Sequence, residues 1–294
     1  MSHRRRSSSQ SILRNIISYI FSFVLSMALF AMTLLFIARY GVFDDENFIS
    51  MLDDDYYRLC MEHIEDQANY YTLPTGIGTS VLEDVFSIDD VRYDVSRYVI
   101  SAFDGVEYKP DMKVLENKLS DNVRNFFKAD GVTITGETED IISAYVEDIV
   151  NIYKACVEMP GLDMIVQIRN VFLTYYRYGM IACGIVIVLL IAFIIKLHHY
   201  PHRSMRYLAY ACGGSALMSF VIPFILYQSG RYKGLGLNPE YFYHFGVSLV
   251  EYLLKLCMFS ALLWAVVMIV LIVIIAALRS KQMSRRHHHS HSDF

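Results

Sequence analysis

The chain has 294 residues and a formal net charge of −4, and 54% of its residues are hydrophobic. Its acidic residues are concentrated in one block: residues 41–175 contain 27 acidic and 10 basic side chains, whereas the rest of the chain contains 3 and 16. Long apolar runs lie outside this block, which excludes one large soluble domain. Five scattered cysteines exclude a disulfide scaffold. We expect no nucleic-acid partner.

The apolar runs predict an all-α, polytopic membrane protein with four transmembrane helices and an extracytoplasmic helical-bundle domain between helices 1 and 2. The predicted segments are a basic cytoplasmic N-terminus at 1–15, transmembrane helices at 16–38, 177–197, 207–227 and 253–278, the acidic extracytoplasmic domain at 39–176, a cytoplasmic turn at 198–206, an extracytoplasmic aromatic loop at 228–252, and a basic, His-rich cytoplasmic tail at 279–294.

The first apolar run is predicted to be an uncleaved signal anchor. From Ile16 to Ile37 it reaches roughly 33 Å as a helix, enough for a hydrocarbon core of about 30 Å. It is too long for an ordinary signal-peptide core, and the sequence that follows it, Ile37 to Gly41, lacks a small-x-small cleavage pattern.

Basic residues beside the spans predict the orientation. Eleven Lys and Arg flank the amino terminus, the 198–206 turn and the carboxyl tail, whereas five flank the opposite side. Because positively charged flanks stay in the cytoplasm, we expect both termini inside and the acidic domain outside a plasma membrane. The same basic residues are expected to bind anionic lipid headgroups. The absence of any Asn-x-Ser/Thr sequence favours a bacterial membrane.

Small residues predict where the spans pack. Two stripes occur, one on the first span and one on the third. Their members are Ser18, Ser22 and Ser26 on the first, and Ala211, Ser215 and Ser219 on the third, beside Gly213 and Gly214. Such stripes let helix backbones approach closely. A polar lining for a permeation path is the alternative, but the spans lack the mid-depth charge that a pump or ion-coupled carrier usually needs.

Two features mark the outer end of the fourth span. Glu251 and Lys255 are spaced i, i+4 with the acid first, which is the favourable order on a helix. The aromatic segment before them, residues 239–245, is predicted to lie at the level of the lipid headgroups. We interpret the charged pair as an interfacial anchor, with an ion or ligand site as the alternative.

The acidic block repeats apolar residues at helical spacing throughout. The stripes lie within 88–102, 112–127 and 141–156, and a further helix is predicted at about 46–70. About 135 residues suffice for a core of their own. The predicted helix starts are the capping boxes Ser80 with Glu83 and Ser87 with Asp90, then Pro110 and Thr138.

No catalytic, cofactor-binding or metal-binding residue is predicted, since nucleophile, Walker and dinucleotide motifs are absent. The acidic clusters 44–46 and 53–55 lack the spacing of a calcium loop and are interpreted as solvated helix faces.

Clustered histidines could bind a transition metal or belong to a disordered tail. They are His198, His199, His202, His287, His288, His289 and His291. Cys60 and Cys156 either pair in an oxidising compartment or fill the helical core.

We therefore predict a non-enzymatic membrane protein that senses or docks an envelope partner, or associates with itself, through its outer domain. The strong negative field of that domain would repel acidic surface polymers or attract a basic partner. The alternative is a transport or permease-type subunit that works with a partner ATPase or as an oligomer. The layout resembles that of FtsX-type permease subunits, but the 198–206 turn is too short for their coupling helix.

Overall fold

A computed structural model of the chain describes residues 2–198, 201–234 and 236–290, and every regular element in these ranges is helical. This confirms the predicted all-α class. The α-helices are α1 (Ser2–Ile37), α2 (Asp45–Ser50), α3 (Asp54–Thr72), α4 (Ile88–Asp104), α5 (Lys113–Ala129), α6 (Gly136–Val157), α7 (Leu162–Leu197), α8 (Pro201–Ser229) and α9 (Glu240–Ser290). A π-helical turn (Ala38–Val42) and 3-10 turns (Leu73–Thr75, Thr79–Leu82, Arg231–Gly234) lie between them.

The chain divides into two compact units that are interleaved in sequence. The first, which we call the membrane unit, comprises Met1–Val42, Phe172–Tyr232 and Val250–Phe294. The second, which we call the helical domain, comprises Phe43–Val171 and Lys233–Leu249. The helical domain therefore includes a segment that the sequence alone assigned to a separate loop.

Four helical segments are long and apolar enough to cross a membrane, which confirms the predicted number of spans. The segments are Ile12–Val42, Gly136–Leu197, His202–Ser229 and Glu240–Ser280. Each contains one of the predicted spans. The helix α7 is continuous from Leu162, as expected, and α9 begins at Glu240, well before the predicted boundary at 253.

Large apolar side chains cover the outward faces of α7 and α9. Ile185, Leu189, Ile269 and Val273 are each more than half exposed. A soluble monomer rarely leaves so much contiguous apolar surface in water. A bilayer solvates such surface, so the exposure agrees with the membrane assignment.

Within the membrane unit, α1 and α8 approach closely through the predicted small residues. The Ser22 hydroxyl donates to the backbone oxygen of Tyr207 at 2.8 Å. A Cβ atom placed on Gly214 would lie 2.9 Å from Cβ of Ser26, so only glycine fits at this crossing. The surrounding core consists of Leu25, Leu29, Ile194, Tyr207, Ala211 and Cys212. These contacts explain both stripes as packing surfaces.

Side-chain caps define where helices of the helical domain begin. Asp53 caps α3 by accepting a hydrogen bond from the Tyr56 backbone N–H at 2.9 Å. Ser87 caps α4, as predicted, and Thr135 caps α6. Such caps satisfy backbone donors that the first helical turn leaves unpaired.

Several predicted helix boundaries were wrong. The helix predicted at 46–70 is divided into α2 and α3, because Asp53 takes the extended conformation of a cap. In the box Ser80 with Glu83, Ser80 lies in the 3-10 turn Thr79–Leu82 and Glu83 follows that turn, so the box begins no α-helix. The helix predicted from Pro110 begins at Lys113. Thr138 lies inside the first turn of α6 rather than before it.

The aromatic segment 239–245 does not present its rings as a free belt. Tyr241 and Phe245 are each 2% exposed. The Phe245 ring lies 5.1 Å from the ring of Phe48, and the Tyr241 ring lies 5.7 Å from the ring of Tyr56. These two side chains complete the core of the helical domain and are not lipid-facing rings of a belt, whereas the placement of the segment at headgroup level stays a prediction.

The crossing at Gly214 yields a direct test of the membrane unit. Gly214→Ala should lower the thermal unfolding midpoint in detergent, because overpacking a closed core costs about 1–3 kcal/mol. The matched control is Gly184→Ala, since a Cβ there meets no atom within 4 Å. Equal midpoints for the two variants, measured by heating and size-exclusion chromatography, would contradict the close approach.

Candidate functional site

The helical domain carries two open clefts on either side of one irregular loop, residues 105–112. The loop begins at Gly105, whose φ of +72° is a left-handed value that glycine adopts without steric cost. It ends at Met112, which is buried. Loops held by a rigid scaffold often carry binding groups, so this loop and its clefts form the candidate functional site.

The first cleft, which we call the Asp94 cleft, has a volume of about 430 Å³. Four aromatic rings and three carboxylates form half of its lining. They are Phe86, Asp90, Tyr93, Asp94, Tyr108, Asp111 and Tyr153. Phe86 and Tyr153 stack with a ring separation of 6.3 Å and an interplanar angle of 6°, which gives the cleft an ordered aromatic wall.

The carboxylate of Asp94 organises the cleft. The Tyr108 hydroxyl donates to its Oδ1 at 2.8 Å, and the Tyr153 hydroxyl donates to its Oδ2 at 2.8 Å. These residues come from the 105–112 loop and from α6, whereas Asp94 lies on α4. Hydrogen bonds to an ionised acceptor are stronger than neutral ones. Asp94 therefore fixes the loop and α6 relative to α4.

The Tyr108 hydroxyl is held in its protonated form. Burial, followed by the hydrogen bond to Asp94, raises the pKa of Tyr108 to about 12. The negative Asp94 carboxylate opposes a second negative charge beside it. The hydroxyl consequently remains a donor throughout the physiological pH range, and the cleft keeps the negative charge of Asp94.

The two lysines at the cleft are already engaged. Lys109 Nζ lies 3.1 Å from Oε1 of Glu107, and Lys118 donates to the backbone oxygen of Asp84. The Lys109 charge is thus paired with a carboxylate, whereas Lys118 keeps its positive charge, and the three carboxylates of the cleft outnumber it. Three carboxylates beside four aromatic rings form a lining that favours a cationic group, through charge and through cation–π attraction.

The second cleft, which we call the polar groove, lies on the other side of the loop and has a volume of about 740 Å³. Acidic side chains outnumber basic ones along it. They are Glu107, Asp111, Glu116, Glu158 and Asp163, against Lys109, Lys113 and Lys154. Because the loop borders both clefts, a bound segment that carries several basic side chains could contact the two together.

The acidic clusters at 44–46 and 53–55 each begin with a residue that caps a helix. Asp44 caps α2 by accepting from the Asn47 N–H, and Asp53 caps α3. His244 Nδ1 lies 3.6 Å from Asp53 Oδ1, and a ligand atom from each of Asp53, Asp55 and His244 falls within 4.8 Å of the others. The three groups could approach a cation together, yet both carboxylates are largely exposed. Among the described residues, no histidine joins the 44–46 cluster in such a group.

His198, the residue that follows α7, has a structural role. Its Nε2 lies 2.9 Å from the Ser18 hydroxyl, and its ring stacks on Tyr207 with a centroid separation of 4.9 Å. Burial and then the nearby Arg14, Arg203 and Arg206 lower the pKa of His198. His199 and His291 lie outside the described residues, and His202 is partly buried on α8.

The predicted pair Glu251 and Lys255 is confirmed. Lys255 Nζ lies 3.3 Å from Glu251 Oε2, and the Tyr232 hydroxyl donates to Glu251 Oε1 at 2.9 Å. The carboxylate thus holds both its neighbour on α9 and the turn Arg231–Gly234. This arrangement agrees with an anchoring role for the pair.

The sequence did not single out Asp94, Tyr108 or Tyr153 as site residues. Asp94 lies three residues after Val91 and four before Tyr98, so it borders the apolar stripe of α4. An acid at the edge of a buried stripe needs a partner, which is a signal that sequence reading can use. The partners themselves come from distant segments, and no spacing rule identifies them.

No family model matches the chain, and neither a characterised relative nor a solved structure matches it. The chemistry of the clefts is therefore the basis for a functional proposal.

The Tyr108 hydrogen bond makes a prediction about pH. A folded pKa of about 12, against an ordinary value of 10.0, means that Tyr108 stabilises the fold below pH 10 and that this contribution is lost between pH 10 and 12. At pH values below 10, Tyr108→Phe should lower the thermal unfolding midpoint, because it removes the hydrogen bond to Asp94. Hydrogen bonds to charged groups contribute about 1.5–3 kcal/mol, and partial exposure places this one at the lower end. The difference between the wild type and Tyr108→Phe should shrink towards pH 12.

The control for that measurement is Tyr70→Phe, because Tyr70 is 79% exposed. Its midpoint should follow the wild type at every pH. Thermal unfolding between pH 7 and 12 tests both variants, and a Tyr108→Phe difference that stays constant up to pH 12 would contradict the assigned bond.

Proposed function

We propose that this protein is a non-enzymatic, multi-pass protein of a bacterial plasma membrane that docks a basic partner on its acidic helical domain. In this proposal both termini are cytoplasmic, the first span is an uncleaved signal anchor, and the helical domain lies outside. The partner is a protein that bears exposed Lys or Arg side chains. A second copy of the chain fits this description less well, because the 41–175 block has 27 acidic and only 10 basic residues.

The observation that carries the docking proposal is the Asp94 cleft. A partner Lys or Arg entering it would meet carboxylates at Asp90, Asp94 and Asp111 and the rings of Tyr93 and Tyr108. The polar groove across the loop offers four more carboxyl groups besides the shared Asp111. Opposite charge accelerates encounter and favours the correct partner.

The orientation is supported by the distribution of basic residues. Eleven Lys and Arg flank the proposed cytoplasmic side, against five on the other. Positive flanks are retained in the cytoplasm because their translocation is disfavoured. The same residues would bind anionic headgroups at the inner leaflet.

The membrane unit supports an anchoring role over a transport role. Ser22 and Ser26 are used in the contact between α1 and α8 and are buried, so this stripe does not line a polar path in the described structure. The predicted permease-type function remains the alternative, and reconstitution separates the two. Purified protein that permeabilises liposomes to a solute without any partner would overturn the docking proposal.

Docking is tested by partner binding in wild type and in Asp94→Asn. Affinity purification from native membranes, with chemical crosslinking, supplies the partner, and its affinity for purified variants in nanodiscs is then measured at low and high salt. Asp94→Asn should weaken binding about tenfold, since a close charge pair is worth roughly 1.5 kcal/mol or more. Binding should also weaken with salt.

The matched control is Asp66→Asn, an exposed acid on α3 that lines neither cleft. It removes the same charge and should change affinity less than twofold. If Asp94→Asn and Asp66→Asn bind alike, the cleft is not the docking site, whatever the partner is.

Orientation is tested separately with a membrane-impermeant maleimide on intact cells. Ser143→Cys, exposed on α6, should react before lysis, whereas Ser280→Cys, exposed near the end of the fourth span, should react only after lysis. The reverse pattern would place the helical domain in the cytoplasm and exclude an envelope partner.

A further inference from the structure

The helical domain brings its two cysteines together in the core. Cys60 on α3 and Cys156 on α6 are 0% and 3% exposed. Cys60 Sγ lies 3.9 Å from the backbone oxygen of Cys156, and the two thiols are close enough to shift each other's pKa. The residues are separated by 96 positions in the chain, so folding and not local sequence creates the pair.

The pair is buried near two tyrosines. Burial and then the two cysteines raise the pKa of Tyr241, and burial and then Cys60 raise the pKa of Tyr56. The rings of Tyr56 and Tyr241 pack edge to face at 5.7 Å. The pair therefore lies where α3, α6 and the 233–249 segment meet.

We propose that Cys60 and Cys156 form a disulfide bond in the mature protein. A bond here would join α3 to α6 at the level where Tyr241 enters the core. The proposal depends on the outer placement of the domain proposed above, since disulfides persist in oxidising compartments. It is independent of whether the Asp94 cleft docks a partner.

The oxidant in this proposal is a disulfide-bearing protein outside the membrane. The thiolate of one cysteine attacks a sulfur of the donor disulfide, which forms a mixed disulfide and releases one donor thiolate. The thiolate of the other cysteine then attacks the mixed disulfide, forms the Cys60–Cys156 bond and releases the second donor thiolate. Two electrons pass to the donor, and the two protons of the cysteine thiols leave with them to give a donor dithiol.

Burial restricts when this exchange can occur. In the folded domain, the hydrogen bond between the two thiols raises the pKa of Cys60 and lowers the pKa of Cys156, so Cys156 is the better nucleophile of the pair, but both side chains are buried away from a donor. No solvent path reaches Cys60 in the folded domain, because it is fully buried. The bond therefore forms while α3 and α6 are coming together, and afterwards it resists soluble reductants.

The bond would also stabilise the candidate functional site. Cys156 lies one turn of α6 after Tyr153, whose hydroxyl donates to Asp94. The loop closed by the bond contains α4, α5 and the 105–112 loop. A crosslink that closes so long a loop removes much of the freedom of the unfolded chain.

The test is mass spectrometry of the full chain taken from its membranes. Cells are quenched with acid and alkylated with N-ethylmaleimide under denaturing conditions before digestion without reductant. We expect a crosslinked pair of peptides containing Cys60 and Cys156, lighter than their sum by two hydrogen atoms. The internal control is alkylation of Cys183, Cys212 and Cys257, which lie in the membrane unit.

Alkylated Cys60 and Cys156 in most molecules would overturn the proposal, whichever side the maleimide experiment assigns to the domain. Non-reducing electrophoresis gives a second readout, because a closed loop increases the mobility of the denatured chain. Reductant and Cys60→Ser should each remove the increase, and Cys257→Ser should retain it. The measurement uses denatured chains, so it does not require Cys60→Ser to fold stably.

Discussion

A hydrocarbon bilayer cannot hydrogen-bond peptide groups or solvate charge, and this constraint shapes every other feature of the chain. It limits the spans to continuous helices and excludes acids from them, so nearly all carboxylates lie in the block 41–175. It also removes the hydrophobic drive between helices inside the membrane. The crossing of α1 and α8 therefore depends on fit, with Ser26 against Gly214 and the Ser22 hydroxyl on the Tyr207 backbone.

The helical domain faces a different constraint: its surface is rich in negative charges, which repel one another. Several of these carboxylates have specific partners. Asp44 and Asp53 cap helices. Asp94 accepts hydrogen bonds from two tyrosine hydroxyls, and Glu139 forms an ion pair with Arg124. The acids around the 105–112 loop remain concentrated at the two clefts. Where like charges are concentrated beside aromatic rings, a cation is the group that relieves the repulsion.

Sequence reasoning predicted those features that depend on local periodicity and composition. The four apolar segments, the helical class, the Ser87 cap and the pair Glu251 with Lys255 all follow from spacings within one helix. It failed at Asp53, which could either continue a helix or cap the next one. Asp53 caps α3 and so interrupts the predicted 46–70 helix. It also failed where distant segments meet. The partners of Asp94 lie 14 and 59 positions away, and no local pattern encodes those distances.

The insertion of residues 233–249 into the helical domain has a consequence for biosynthesis. The cavity edged by Phe48 and Tyr56 is synthesised early, but Tyr241 and Phe245, which fill it, leave the ribosome only after residues 172–232 have been made. At typical translation speeds of 5–20 residues per second, the synthesis of residues 172–241 takes roughly 4–14 s. During that interval the nascent domain exposes an aromatic surface to any chaperone present, and its folding cannot finish before the third apolar segment has been translated.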